Sequence, residues 1–183
     1  MKMIIAVTFL GILIHAFAKN CELQPAMANF NFDQYFKIPH FYVTHSKNGP
    51  QENVCREHEF KKIRSERIET LVLEVYSTRG TEHKTLLDCI DTPKSGKPGQ
   101  FSVECKVRGT DKKILLETSI IATDYKNYAL LQSCTSTGKE DILVLQTSTN
   151  QVDLRVKAVF ERMKFSLNDW YSRAKVDCKN FKK

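Results

Sequence analysis

Six cysteines, Cys21, Cys55, Cys89, Cys105, Cys134 and Cys178, are spread from one end of the chain to the other, and all of them follow an N-terminal segment built for export. Met1-Lys2-Met3 precedes the apolar run Ile4 to Leu13 and then Ala16-Phe17-Ala18. This is the charged, apolar and small-x-small order of a secretory signal, so residues 1–18 are expected to be removed after Ala18. The apolar run is shorter than the roughly 20 residues a membrane span needs, and no later stretch approaches that length, so a secreted protein rather than a membrane protein is expected. In an oxidising compartment an even set of cysteines reads as three disulfides, and sequence alone leaves about 15 pairings open. No two cysteines have the Cys-x-x-Cys spacing that tetrahedral zinc sites favour, and no metal is expected.

Residues 19–183 are long enough for one domain with a sizeable core, and no repeat, low-complexity tract or long linker divides them. From Pro39 onward, short runs rich in β-branched and aromatic residues recur at the spacing of an antiparallel sandwich or barrel. Eight are expected: His40 to Ser46, Val54 to Lys62, Thr70 to Thr78, Lys84 to Ile90, Gln100 to Val107, Lys113 to Thr123, Tyr128 to Thr135 and Ile142 to Ser148. Turn signals such as Lys47-Asn48-Gly49-Pro50, Arg79-Gly80 and Arg108-Gly109-Thr110-Asp111 separate them, so neighbouring runs can pair as hairpins. An all-β, eight-stranded antiparallel up-and-down barrel removes its own sheet edges by closing, and one of this size holds side chains or one small ligand.

The pattern changes after Thr149. Val152, Val156, Val159, Phe160 and Met163 recur at helical spacing, with Asp153, Arg155, Lys157 and Glu161 turned away. A C-terminal α-helix with Asn150 as its N-cap should therefore pack on the barrel wall. Ser166-Leu167-Asn168-Asp169 signals a second short helical turn, after which Trp170 anchors the tail.

Residues 1–18 contribute only Lys2, which leaves 27 of the 28 basic residues against 21 acidic ones, a net charge of +6. The basic residues gather at Lys61, Lys62, Arg64 and Arg67, at Lys106, Arg108, Lys112 and Lys113, and around Arg173 to Lys183. Such runs are most often solvated faces or protected strand edges, but together they favour anionic partners. Nucleic acid is a poor fit as a partner, because a secreted disulfide protein rarely meets it and no aromatic residues interleave with the basic ones as base stacking requires. No Gly-x-Ser-x-Gly, His-Glu-x-x-His or phosphate-cradling glycine loop is present, so an enzyme is not expected. A haem site would need a histidine inside the barrel, whereas His40, His58 and His83 each stand beside charged or turn residues and read as surface groups. No cofactor is expected, and no Asn-x-Ser/Thr sequon is present.

Long, ordered segments carry a resemblance across the whole mature chain: Phe36 to Ser46, Asn48-Gly49-Pro50 with Val54-Cys55-Arg56-Glu57, Gly99 to Cys105, Ala122 to Cys134, and Ile142 to Thr147. They resemble the triabin-like salivary lipocalins of blood-feeding triatomine bugs, within the subgroup that includes pallidipin, triplatin and triafestin. The resemblance implies a lipocalin barrel and the disulfides Cys21 to Cys134, Cys55 to Cys178 and Cys89 to Cys105. The Gly-x-Trp usual in lipocalin first strands is Pro39-His40-Phe41 here, so a phenyl ring should plug the barrel end without the indole's hydrogen bond.

Two functions follow as expectations of that resemblance, both antihaemostatic. In the first, the basic face of Lys61, Lys62, Arg64, Arg67, Lys106, Arg108, Lys112 and Lys113 binds contact-pathway proteins such as factor XII and high-molecular-weight kininogen. Docking on anionic activating surfaces would then be blocked by charge complementarity. In the second, the barrel sequesters thromboxane A2 or a related eicosanoid, with Arg56 and Gln146 as ligand-binding polar residues of an apolar pocket. The segment Glu59 to Thr78 is more basic than the resemblance to platelet-directed members implies, which places the contact-pathway reading first.

Overall fold

The structure, a computed structural model, describes residues 21–49, 54–62, 67–149 and 152–178, the side chains of Lys62 and Thr78 excepted. The proposed signal segment, Arg64 and Asn150 lie outside the described residues. Eight antiparallel strands follow one another around the wall: β1 His40–Ser46, β2 Val54–Lys62, β3 Ile68–Thr78, β4 Thr81–Pro93, β5 Gln100–Val107, β6 Lys113–Thr123, β7 Tyr128–Thr135 and β8 Glu140–Gln146. Strand β1 pairs with both β8 and β2, which closes the barrel. Every consecutive pair from β2 to β8 is a simple hairpin, the arrangement that the spacing of turn signals implies.

Strand limits depart from the sequence pattern where pairing overrides composition. At Arg79-Gly80 both central residues adopt positive φ, 52° and 80°, the twist of a two-residue hairpin turn, so β3 and β4 stay in register up to Thr78 opposite Thr81. At its other end β4 continues to Pro93 opposite Phe101. Strand β8 begins at Glu140, opposite Cys134, and ends at Gln146.

The N-terminal segment is strapped to the outside of β6 and β7. The Gln132 amide, fully buried, accepts from Gln24 N at 2.6 Å and donates to Glu22 O at 3.0 Å. Cys21–Cys134 fastens the same strap, Cys89–Cys105 joins β4 to β5, and Cys55–Cys178 ties the C-terminal tail to β2. Before β1 the chain makes one helical turn, α1 Phe32–Tyr35, capped by Asn31, whose Oδ1 accepts from Gln34 N at 2.9 Å. Its aromatic side chains close one end of the barrel. Tyr35 packs on Phe41 and Phe60, and Phe36 packs edge-on against Phe60 and Phe101 at 5.3 and 5.5 Å between ring centres. Phe41 is completely buried in this plug. Gly99 sits where it must: its φ is +84°, and a Cβ there would stand 2.8 Å from Ala26 Cβ.

Helix α2 spans Leu154–Met163 and lays Val156, Val159 and Phe160 on the outer face of β7 and β8, against Leu130, Ile142 and Val144. Its N-cap is Asp153, whose Oδ1 accepts from Arg155 N at 2.8 Å, and Lys164 ends it in the left-handed conformation. Ser166 caps the turn Leu167–Asp169, and Trp170 stacks edge-on against Phe160 at 4.7 Å. The tail then makes a short ninth strand, β9 Tyr171–Ser172, which pairs with His45 and Ser46 of β1. This fills a gap, since β1 and β2 pair directly only from His40 to Tyr42. Beyond that point Tyr171 and Arg173 bridge the seam, their side chains donating to the Val54 and Arg56 carbonyls.

Candidate functional site

Period-two alternation sends every second side chain of each strand inward, and the inward set surrounds a cavity of about 520 Å³. Its middle is apolar, with Val72, Leu87, Val103, Leu116, Leu143 and Leu145 on the wall. Its closed end rests on the aromatic plug, and its other end opens between the β3–β4, β5–β6 and β7–β8 hairpins. Near that opening the register sets Arg56 of β2 beside Glu74 of β3, and Glu74 beside Thr85 of β4.

Arg56 is the charged centre of the mouth. Its Nε lies 2.6 Å from Glu74 Oε1, and its Nη1 lies 4.0 Å from Asp141 Oδ2. Asp141 is also held elsewhere, accepting from Ser46 Oγ at 2.7 Å and from Asn48 N at 2.9 Å, which fixes the start of the β1–β2 loop. The Glu74 oxygen sits off the hydrogen-bonding direction, so Arg56 Nε is buried with no hydrogen-bond partner among the described residues. A donor left in this condition is costly unless a further group satisfies it.

Deeper in the cavity, His58 lines the wall two residues along β2 from Arg56, contrary to the surface position expected from its charged neighbours in sequence. Burial, reinforced by the nearby Arg56 and His40 charges, pushes its pKa down to about 3, so the ring is neutral. Asp91 of β4 also faces the cavity and accepts a hydrogen bond from the Thr70 hydroxyl. Desolvation raises the Asp91 pKa to about 6, against the lowering effect of that bond. Burial, then the Asp91 charge, pushes the Tyr35 hydroxyl far above its ordinary value. His40 is half-buried and bonds Glu57 at 3.2 Å, while His83 is exposed and stacks on Tyr76. No cluster of three or more metal-ligating side chains occurs among the described residues.

The structure separates the two residues expected to share the pocket. Arg56 lines the cavity, but Gln146 belongs to the outward set of β8 with Ile142 and Val144. Its Oε1 accepts from Asp153 N at 3.1 Å, beside the start of α2, and it is only 3% exposed. Leu145, its neighbour, is the residue that turns inward. The polar interruption of an apolar strand therefore marks a helix-docking site rather than a pocket contact.

The expected basic face is also redistributed. Lys61, Lys62 and Arg67 lie toward the closed end, whereas Lys106, Arg108, Lys112 and Lys113 belong to the β5–β6 hairpin at the open end. Lys61 and Arg108 border one outer groove, but Glu59, Glu69 and Asp88 line it with them. Arg108 is bound to Asp88 and Lys113 to Glu104, the latter at 2.6 Å. Lys112 lies at the rim of the cavity itself.

A Triabin family model matches residues 16–159. Pallidipin of Meccus pallidipennis is 55% identical over the full length of both chains. Platelet inhibitor triplatin-2 of Triatoma infestans is 40% identical, covering 97% of this chain and all of its own. The chain belongs to the triabin family. It is a secreted lipocalin rather than an enzyme, and among the described residues no helix is long and apolar enough to cross a membrane. Two solved structures share the fold at low identity. The tryptamine complex of the amine binding protein of Rhodnius prolixus gives a TM-score of 0.73 at 19% identity, covering 90% of this chain and 91% of that one. A leukotriene C4 complex of LTBP1 gives 0.62 at 18% identity, covering 84% and 93%.

Reading along one strand would have found part of this triabin-family site. Arg56, His58 and Phe60 share parity, so Arg56 facing inward commits His58 to the same face. Glu74, Asp91 and Asp141 lie on other strands, and their approach depends on register that no local pattern carries.

Proposed function

We propose that the protein impairs host haemostasis during blood feeding by sequestering an acidic lipid mediator of the thromboxane A2 type in its barrel, and so suppresses platelet aggregation. The observation that carries this reading is the mouth of the 520 Å³ apolar cavity, where Arg56 keeps a buried Nε–H without a hydrogen-bond partner among the described residues. A lipid carboxylate that accepts from this donor makes a charge-assisted bond while its chain leaves water for the apolar wall. Glu74 limits the gain, because a ligand carboxylate must compete with it for the guanidinium. The name of the relative triplatin-2 as a platelet inhibitor supports the platelet direction.

Binding of factor XII and high-molecular-weight kininogen is the second reading. It retains one supporting observation, the β5–β6 hairpin, where Lys106 and Lys112 make no ion pair among the described residues while Arg108 and Lys113 do. Side-by-side plasma assays separate the two. Loss of collagen-induced aggregation with kallikrein generation unchanged supports sequestration. Loss of kallikrein generation alone, abolished by Lys106→Glu and Lys112→Glu together, would replace it with the contact-pathway reading.

A further inference from the structure

The closed end of the cavity is not uniformly apolar. Among the rings of Phe36, Phe60 and Phe101 stand Tyr35, Thr70, Asp91 and Thr118, all buried and all lining the cavity. Only Thr70 and Asp91 satisfy each other; the Tyr35 and Thr118 hydroxyls have no hydrogen-bond partner among the described residues. Buried hydroxyls and a buried carboxyl next to open cavity space are stabilised when a ligand supplies the missing partners. A purely apolar ligand end would leave them unpaired, which is a penalty rather than a neutral contact.

We propose that Tyr35, Thr70, Asp91 and Thr118 form a deep polar subsite that binds a hydroxyl group on the far end of an acidic lipid whose carboxylate is held at Arg56. The inference rests on the lipid reading given above and adds a direction of entry and a requirement at the buried end of the chain. Register sets the length. Glu74, beside Arg56, and Ile68, beside Asp91, lie six residues apart on β3, a span of about 20 Å at the usual rise of a strand. A saturated sixteen-carbon chain, extended, covers a comparable distance.

The test compares 16-hydroxyhexadecanoic acid with hexadecanoic acid by calorimetry on the full mature chain. One satisfied hydrogen bond at a desolvated site predicts about a tenfold tighter Kd for the hydroxy acid. Thr118→Val and Tyr35→Phe, each checked for unchanged thermal unfolding, should each reduce that preference severalfold, by weakening the hydroxy acid and, with one unpaired hydroxyl removed, tightening hexadecanoic acid. Equal affinity of the two acids for the wild-type chain would overturn the subsite while leaving lipid sequestration standing, as would a preference that survives both substitutions. Binding of neither acid would overturn the subsite together with the lipid reading on which it rests.

Discussion

At the closed end of the barrel, Tyr35, Phe36, Phe41, Phe60 and Phe101 pack ring against ring, with Phe41 completely buried. At the open end the same sheet carries Arg56, Glu74 and Asp141 around one incompletely satisfied guanidinium. The aromatic end has exchanged water for contacts within the protein and contributes stability. The charged end holds polar groups whose best partners are not all in the chain, and it contributes selectivity. The rings of the plug thus carry stability and the mouth carries recognition of the ligand's charge, and substitutions at Phe41 and at Arg56 should fail in different ways.

The largest expected effect lies in the plug. Phe41→Ala should cost about 3–5 kcal/mol in urea unfolding, whereas Arg56→Ala should change stability by less than about 1 kcal/mol and act on ligand affinity instead. Equal losses of stability at the two sites would break the comparison. Next comes the seam beside the mouth: replacing Cys55 and Cys178 together by alanine should cost about 2–4 kcal/mol, because β9 and Arg173 then hold the gap between β1 and β2 unaided.

The pH response sharpens the division further. His58 stays neutral in the fold while the unfolded chain protonates below about pH 6.5, so its contribution is lost as pH falls from about 6.5 toward about 3. Asp91 has the opposite sign: its raised folded pKa stabilises the fold as pH drops through about 6 toward its unfolded value. His58→Phe should therefore lessen the loss of stability between pH 7 and pH 5 relative to the wild type, as read by denaturant midpoints, with His45, whose pKa burial also lowers, still opposing Asp91. The smallest expected effect is at Gln146. Gln146→Leu should cost about 1 kcal/mol through the lost bond to Asp153 N, with ligand affinity unchanged.

The fold was far more legible in the sequence than the site. Five of the eight strands, β1, β2, β5, β6 and β7, begin and end where composition changes, and turn signals such as Asn48-Gly49 and Arg79-Gly80 carry strong local chemistry. The helix was visible in the spacing of Val156, Val159 and Phe160, although its cap moved to Asp153. The site depends on facing, and facing depends on register. Gln146 and Leu145 differ by one position, which is enough to send one beneath a helix and the other into the cavity. His58 looked exposed because Glu57 and Glu59 flank it, yet in a strand those neighbours point to the opposite face. The basic clusters were legible as composition only, since Asp88 and Glu104, their partners, sit on neighbouring segments of the sheet.

Calorimetric titration of a stable thromboxane A2 analogue into the wild-type chain and into Arg56→Ala tests the central claim most directly. Sequestration through the mouth arginine predicts saturable one-to-one binding by the wild type and a loss of at least about tenfold in affinity for the variant. An absence of binding to the wild type, or an affinity untouched by Arg56→Ala, would contradict it.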